Sequence, residues 1–313
     1  MASSRKAVIY AALAGNALIA VMKFIAAFFT GSSAMFSEGI HSFVDTGNQV
    51  LLLYGLKQSK KPPDEQFPFG HGKEIYFWSF VVAIMIFAVG AGISIYEGIH
   101  RLTDPRPLEN IMISYVVLSL AILFEGGAWL FALKEFGKVK GKMGYLEAVQ
   151  RGKDPSMFVV LFEDSAAMLG LLVALAATAL TQLTGNLYLD AMASIIIGLI
   201  LAGTAIWLAV ETKSLLIGER ANVEVVNGIR ELARAYSKID HVNEVLTMHM
   251  GPEFILVNIS VKFKDESTAT EIENTVAQLD AAIKKSFENV RRVFVEAEAR
   301  HASLEQPSQT ENS

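Results

Sequence analysis

The chain has 313 residues, of which 52% are hydrophobic and only 19% are charged, and its formal net charge is −5. This balance is too apolar for an ordinary soluble protein and is typical of a membrane part joined to a soluble part. Because cysteine is absent, disulfides and thiolate metal sites are excluded, and the acidic balance argues against a nucleic-acid partner.

Six apolar segments are predicted as transmembrane helices, because each is long enough to cross a bilayer core of about 30 Å. They cover residues 7–29, 33–56, 74–100, 110–133, 157–181 and 187–210. The first segment has no small-residue cleavage pattern after a short apolar region, so it is interpreted as an uncleaved span. The link between the first two segments is short, which predicts a tight antiparallel pair.

Basic residues in the connecting segments predict the orientation. The segments after the second and fourth spans are rich in lysine, whereas those after the first and fifth contain no Lys or Arg. The segment after the third span carries only Arg101 and Arg106. The positive-inside rule therefore places both termini in the cytoplasm. A presequence rich in Arg and Ser is not recognised, so we expect a multi-pass protein of a cell (inner) membrane.

The composition becomes charged after about residue 211, and the pattern there predicts a helix, two strands, a helix and a third strand. The first helix follows Asn222 and runs through Ser237, and the second starts at Thr268 or Thr270. The strands are predicted at 242–250, 254–264 and 290–298. The predicted domains are therefore a six-helix transmembrane domain, a cytoplasmic α+β domain and a polar disordered tail, at 1–211, 212–299 and 300–313.

A polar cluster interrupts the second apolar segment between Glu38 and Asn48. His41 and Asp45 are four residues apart, so they share one face of a helix, and Glu38 lies one turn earlier. An imidazole and a carboxylate in this arrangement can hold one divalent cation between them. Such groups are costly in a bilayer, so they are expected to face a cavity or a partner helix.

Acidic residues also lie in the fourth and fifth spans. Glu163 and Asp164 are adjacent, and a helix turns them about 100° apart, so both cannot face one partner equally. One of them could instead pair with Lys23. Glu125 is a candidate metal ligand, proton carrier or partner of Lys23, and Asn48 is a candidate for the same cavity or for a bond between helices.

The histidines outside the apolar segments give weaker signals. Asp64 and His71 lie seven residues apart before the third span, where they could form a metal site or belong to a solvated loop. His241 and His249 lie in the charged part of the chain and are expected at the surface.

At these residues the sequence resembles the cation diffusion facilitator family. The resemblance rests on the His41-x-x-x-Asp45 pair, the sequence Phe-Gly-His-Gly-Lys at 69–73 and the acid in the fifth span. The runs at 35–49 and 163–170 are most similar to the branch that contains the animal mitochondrial zinc transporter. The resemblance extends over about residues 7–298, and it implies six spans followed by a cytoplasmic αββαβ domain of ferredoxin-like or metallochaperone-like fold.

The resemblance implies a homodimeric exporter that exchanges a divalent metal, usually zinc, for protons. The family's ligands fall on His41, Asp45 and Asp164, while its usual second histidine falls on Val160, which cannot bind metal. A fourth ligand would then come from Glu163, Glu125, Asn48 or water. One imidazole with carboxylates also tolerates manganese or iron. The family's loop site is matched only by Asp64 and His71, because a further histidine falls on Phe67.

A different class of protein is also possible from the residues alone. Asp45 and Asp164 on facing helices could form the pair of an intramembrane aspartyl protease. The His-Glu-x-x-His sequence of metalloproteases is absent, and His41 beside Asp45 favours metal binding. The sequence therefore favours a metal/proton antiporter over an enzyme.

Overall fold

The computed structural model describes residues 2–140 and 144–299. The chain divides into two units, Met1–Leu216 and Ile217–Ser313. The helices of the first unit are α1 (Ala2–Thr30), α2 (Ser33–Ser59), α3 (Glu74–Met85), α4 (Gly92–Thr103), α5 (Ile111–Lys140), α6 (Tyr145–Arg151), α7 (Pro155–Thr184) and α8 (Tyr188–Ile217). A π-helical stretch, Ile86–Ala91, joins α3 to α4 into one continuous rod.

Helices cover all six of the predicted apolar segments. Within the described ranges, four helices are long and apolar enough to cross a membrane: Glu74–Thr103, Ile111–Lys138, Phe158–Thr184 and Tyr188–Ile217. The protein is therefore a helical, membrane-type chain in this unit. Helix α2 is less apolar because it carries several polar side chains. Many of these are buried where α2 packs against α1, α3, α4 and α7.

The turn between α1 and α2 confirms the antiparallel pair that the short link predicts. Gly31 adopts a φ of 68°, which a side chain would disfavour, and its carbonyl accepts a 2.7 Å hydrogen bond from Arg101. The Asp190 carboxylate of α8 accepts hydrogen bonds from the Ser33 amide at 2.6 Å and from the Ser32 hydroxyl at 2.5 Å. Helix α2 thus begins against a buried carboxylate that satisfies its first donors.

The second unit contains helix α9 (Val223–Arg234), strands β1 (Ile239–Gly251) and β2 (Phe254–Phe263), helix α10 (Ala269–Ser286) and strand β3 (Val290–Ala297). The sheet order is β1-β2-β3, with β1 antiparallel and β3 parallel to the central β2. Val257, Ile259 and Val261 of β2 are fully buried in the core of this unit. The proposed disordered tail, 300–313, lies outside the described residues.

The end of α9, the role of Asn222 and the position of His249 differ from what the sequence predicts for this unit. Helix α9 ends at Arg234 instead of Ser237, because the chain turns at Tyr236, whose carbonyl accepts a hydrogen bond from Ile239 at the start of β1. The Asn222 side chain makes no capping hydrogen bond. His249 was expected at the surface but is only 3% exposed, and its backbone amide donates to Glu219.

Thr268 is the N-cap residue of α10, one of the two threonines that the sequence offers for the start of this helix. Its hydroxyl accepts from the Glu271 amide while the Glu271 carboxylate accepts from the Thr268 amide, which forms a capping box. A hydrogen bond from Lys238, together with those from Thr268, lowers the pKa of Glu271 to about 2. The exact start of this helix is thus determined by local chemistry that the sequence contains.

Candidate metal centre

A cavity of about 400 Å³ lies among α1, α2, α5 and α7. Most of its wall is apolar, and each of the four helices contributes at least one polar residue: Asn16, Ser42, Asp45, Gln49, Glu125, Glu163 and Asp164. Four of these side chains are carboxylates, which are ligands for hard and borderline divalent cations. The lining of this cavity therefore suits a divalent cation.

His41 and Asp45 meet at one edge of this cavity, as their spacing on α2 predicts. His41 Nδ1 lies 3.1 Å from Asp45 Oδ1, within ion-pair distance, although the angle does not fit a hydrogen bond. His41 is 1% exposed, and neither of its ring nitrogens has a hydrogen-bond partner among the described residues. An imidazole buried without partners is a costly arrangement unless another group binds it.

Glu163 joins α7 to the same group. It is 4% exposed and accepts a 2.5 Å hydrogen bond from the Asn48 amide, and its carboxyl group is within hydrogen-bonding reach of Asp45. Two carboxyl groups this close need a proton or a cation between them. Asp164 follows on the next position of α7 and also faces the cavity, so both adjacent acids reach it despite their angular separation.

Lys23 pairs with acids other than Glu163 and Asp164. Its ammonium donates to Glu38 at 3.0 Å and to Glu125 at 2.8 Å. The structure thus shows Glu125 as a partner of Lys23, one of the three roles that the sequence left open for it. The pairing with Glu38 was not foreseen, although a single lysine within an apolar run indicates a buried acidic partner.

The candidate residues are brought near one another without forming a complete ligand set. Asp45, Glu163, Asp164 and Glu125 share the cavity wall, and His41 contacts Asp45. Among residues 2–140 and 144–299, no group of three or more His, Asp or Glu side chains is already arranged to hold a metal ion. Side-chain movement would have to complete a site here.

Two neighbours of the site bear on its chemistry. Val160 lies in the cavity wall, at the position where the family resemblance implies a histidine. Asn48 uses its amide group on Glu163, so this group orients a carboxylate. Ser42 and Gln49, which the sequence analysis did not single out, also line the cavity; they share the α2 face of Asp45 at spacings of three and four residues.

Asp64 and His71 form a separate pair in the segment between α2 and α3. His71 Nε2 lies 2.9 Å from Asp64 Oδ2, and this hydrogen bond, with those from the Phe67 and Gln66 amides, lowers the pKa of the exposed Asp64 carboxyl group. The Phe67 ring packs beside the imidazole, with 4.6 Å between ring centroids. Two donors alone make an incomplete metal site.

A bundle of apolar helices surrounds a cavity to which four carboxylates contribute, and a small α/β unit follows it in the chain; this is the architecture of a helical membrane protein with a soluble domain. Residues 9–217 match the cation efflux transmembrane domain. The chain belongs to the cation efflux family, which confirms the resemblance drawn from its motifs.

Named relatives refine this placement. The proton-coupled zinc antiporter SLC30A9, mitochondrial, of Xenopus laevis is 34% identical over 258 residues, which are 82% of this chain and 46% of that protein. Metal tolerance protein C4 of Arabidopsis thaliana is 31% identical over 253 residues, 80% of this chain and 55% of that protein. The manganese efflux system protein MneP of Bacillus subtilis is 23% identical over 297 residues, 93% of this chain and 95% of that protein. The chain spans about half the length of the first two, and these three are named for transport or metal tolerance, not for an enzymatic activity.

Proposed function

We propose that this protein exports a divalent metal cation, with zinc as the principal substrate, in exchange for protons. The observation that carries the proposal is that three carboxyl groups of α2 and α7 line one cavity and that the buried His41 imidazole lies against one of them, Asp45. The ligands would be His41, Asp45, Glu163 and Asp164. Family membership and the name of the Xenopus laevis relative support both the metal and the coupling to protons.

Competition for the same lone pairs would couple the two ions. His41 and the carboxylates must be deprotonated to bind metal, so protonation of the site expels the metal. Exchange then requires two states of the carrier that differ in which competitor they favour. Because metal and protons bind the same atoms, entry of one opposes retention of the other, and no bond in a substrate is broken.

Zinc is placed before manganese and iron mainly because the Xenopus laevis relative is named as a zinc antiporter, since the proposed ligands alone do not distinguish these metals. One imidazole with carboxylates also suits manganese and iron. The name of the Bacillus subtilis relative, a manganese efflux protein, keeps manganese as the second candidate. Transport by the same vesicles of zinc, manganese and iron in turn, with pH recorded throughout, separates the three.

The membrane arrangement is part of the proposal. We propose that the helices from α1 to α8, except the short α6, make six crossings, with α3 and α4 forming a single span. Both termini would lie in the cytoplasm of a cell membrane, with the αββαβ unit there, and two copies would form a homodimer. The lysine-rich connections after the second and fourth spans support this orientation.

The central test measures metal-driven proton flux in proteoliposomes that contain the full chain. Asp45→Asn and Asp164→Asn are each expected to lower zinc-driven proton flux by at least about 100-fold, because each variant loses a negatively charged ligand of the transported metal. The flux is followed by a pH dye inside the vesicles while zinc uptake is measured in parallel.

The matched control removes a carboxylate outside the cavity. Asp104 pairs with Arg106 in the segment between α4 and α5, so Asp104→Asn should transport zinc at the wild-type rate. If Asp45→Asn or Asp164→Asn transports as fast as Asp104→Asn, the proposed site is wrong. Zinc uptake without any pH change would instead contradict the exchange mechanism.

A further inference from the structure

Lys23 is the buried basic residue beside the proposed site. Its side chain is fully buried, and its ammonium donates to Glu38 at 3.0 Å, Ser42 at 2.8 Å and Glu125 at 2.8 Å. The ammonium therefore has all three of its donors satisfied, by groups on two other helices. Such a complete set of partners fixes the position of the charge.

Glu38 and Glu125, the two acids that pair with Lys23, each have one carboxylate oxygen that the ammonium does not contact. Glu125 Oε2 and Glu38 Oε1 are buried and have no hydrogen-bond partner among the described residues. Glu125 also lies in the wall of the cavity that Asp45, Glu163 and Asp164 share. Without Lys23, the negative charge of the Glu125 carboxylate would be uncompensated and would lie at the place where the metal is expected.

We propose that Lys23 is a tethered counter-cation that holds Glu125, the one of its two acidic partners that lines the cavity, out of the metal's ligand set. This inference rests on the proposed function, and it names Lys23 as a positioning residue that determines how tightly the site holds its metal. A buried carboxylate needs a cation, and Lys23 supplies one that cannot leave. The metal is then held by α2 and α7 alone.

The physical consequence is a limit on affinity. Each additional carboxylate would tighten the hold on a divalent cation and slow its release. An exchanger must release its substrate in every cycle, so a surplus ligand lowers turnover even as it improves binding. Because the Lys23 ammonium occupies the Glu125 carboxylate, the affinity of the site for metal stays low enough for the metal to be released in each cycle.

The test uses cobalt as the metal probe, since the visible absorption of Co²⁺ reports coordination number. Purified full-length protein is titrated with Co²⁺ as wild type, Lys23→Met and Lys23→Met/Glu125→Gln. For Lys23→Met we expect cobalt to bind about tenfold tighter, the scale on which neighbouring groups change metal affinity, with weaker absorption from a higher coordination number. The added Glu125→Gln substitution should restore the wild-type spectrum.

Two further variants keep the test decisive if Lys23→Met folds poorly. Lys23→Arg retains the charge, and Lys23→Met/Glu38→Gln/Glu125→Gln removes the charges together, which buried ion clusters tolerate better than loss of one member. Both are expected to bind cobalt with the wild-type spectrum and with an affinity within about threefold of wild type.

The outcomes separate this inference from the function on which it rests. If the triple variant loses cobalt or changes its spectrum, Glu38 or Glu125 is a ligand in the native protein and the inference is overturned. An unchanged spectrum in Lys23→Met overturns it as well. A wild-type protein that binds no cobalt would overturn the proposed function, and the inference with it.

Discussion

At the scale of single residues, the Glu38 side chain of α2 packs directly against Gly170 of α7. A Cβ atom on Gly170 would collide with Glu38 Oε1, and Lys23 holds the opposite oxygen of that carboxylate. Gly170→Ala should therefore either push Glu38 from Lys23 or separate the helices, at a cost of about 1–3 kcal/mol. We expect a lower thermal unfolding temperature in detergent and reduced zinc transport.

The matched control for this prediction is Gly137→Ala. A Cβ on Gly137 of α5 would meet nothing within 4 Å, and alanine is the better helix former. This variant should unfold at or above the wild-type temperature. Equal stability of the Gly170→Ala and Gly137→Ala proteins would show that Glu38 has room to move aside.

At the scale of elements, α4 and α8 cross through a reciprocal pair of glycines. A Cβ on Gly98 would lie 2.5 Å from Ile195 Cγ1 and 2.8 Å from the Ala191 carbonyl, and a Cβ on Gly198 would lie 2.6 Å from Ile95 Cγ1. Small residues allow this close backbone approach, which drives helix association in membranes.

We expect Gly98→Val to separate the two helices, because the Ala191 carbonyl belongs to the backbone and cannot rotate away. Folded protein recovered by size-exclusion chromatography in detergent should fall several-fold, with a loss of stability of about 2 kcal/mol or more. Gly203→Ala on α8 adds a methyl group that meets nothing within 4 Å and should behave as wild type. A monodisperse and equally stable Gly98→Val protein would rule out this packing.

At the scale of the whole molecule, the absence of cysteine permits a direct test of orientation. Single cysteines at Lys60 and Asn186 lie after the second and fifth proposed spans, which six crossings place on opposite sides. In intact cells, a membrane-impermeant maleimide should label Asn186→Cys, while Lys60→Cys should react only after the membrane is opened. Labelling of both from outside would contradict the six-span arrangement.

Several features of this protein were determined by the sequence itself. The polar face of α2 follows from residues spaced three and four apart, and the start of α10 follows from Thr268 with Glu271. These features depend on neighbours within one helical turn, so their geometry is contained in the local pattern. The motif around His41 and Asp45 also led to the correct family.

Only the tertiary structure decided which charges pair. Lys23 could have met any of the buried acids, and its choice of Glu125, 102 residues away, depends on how α1 and α5 pack. The same packing brings Asp45 to Glu163 and turns the Asn48 amide onto that carboxylate. Contacts between helices depend on the rotation and approach of each helix, and a periodic sequence specifies the polar face without specifying which neighbour it meets.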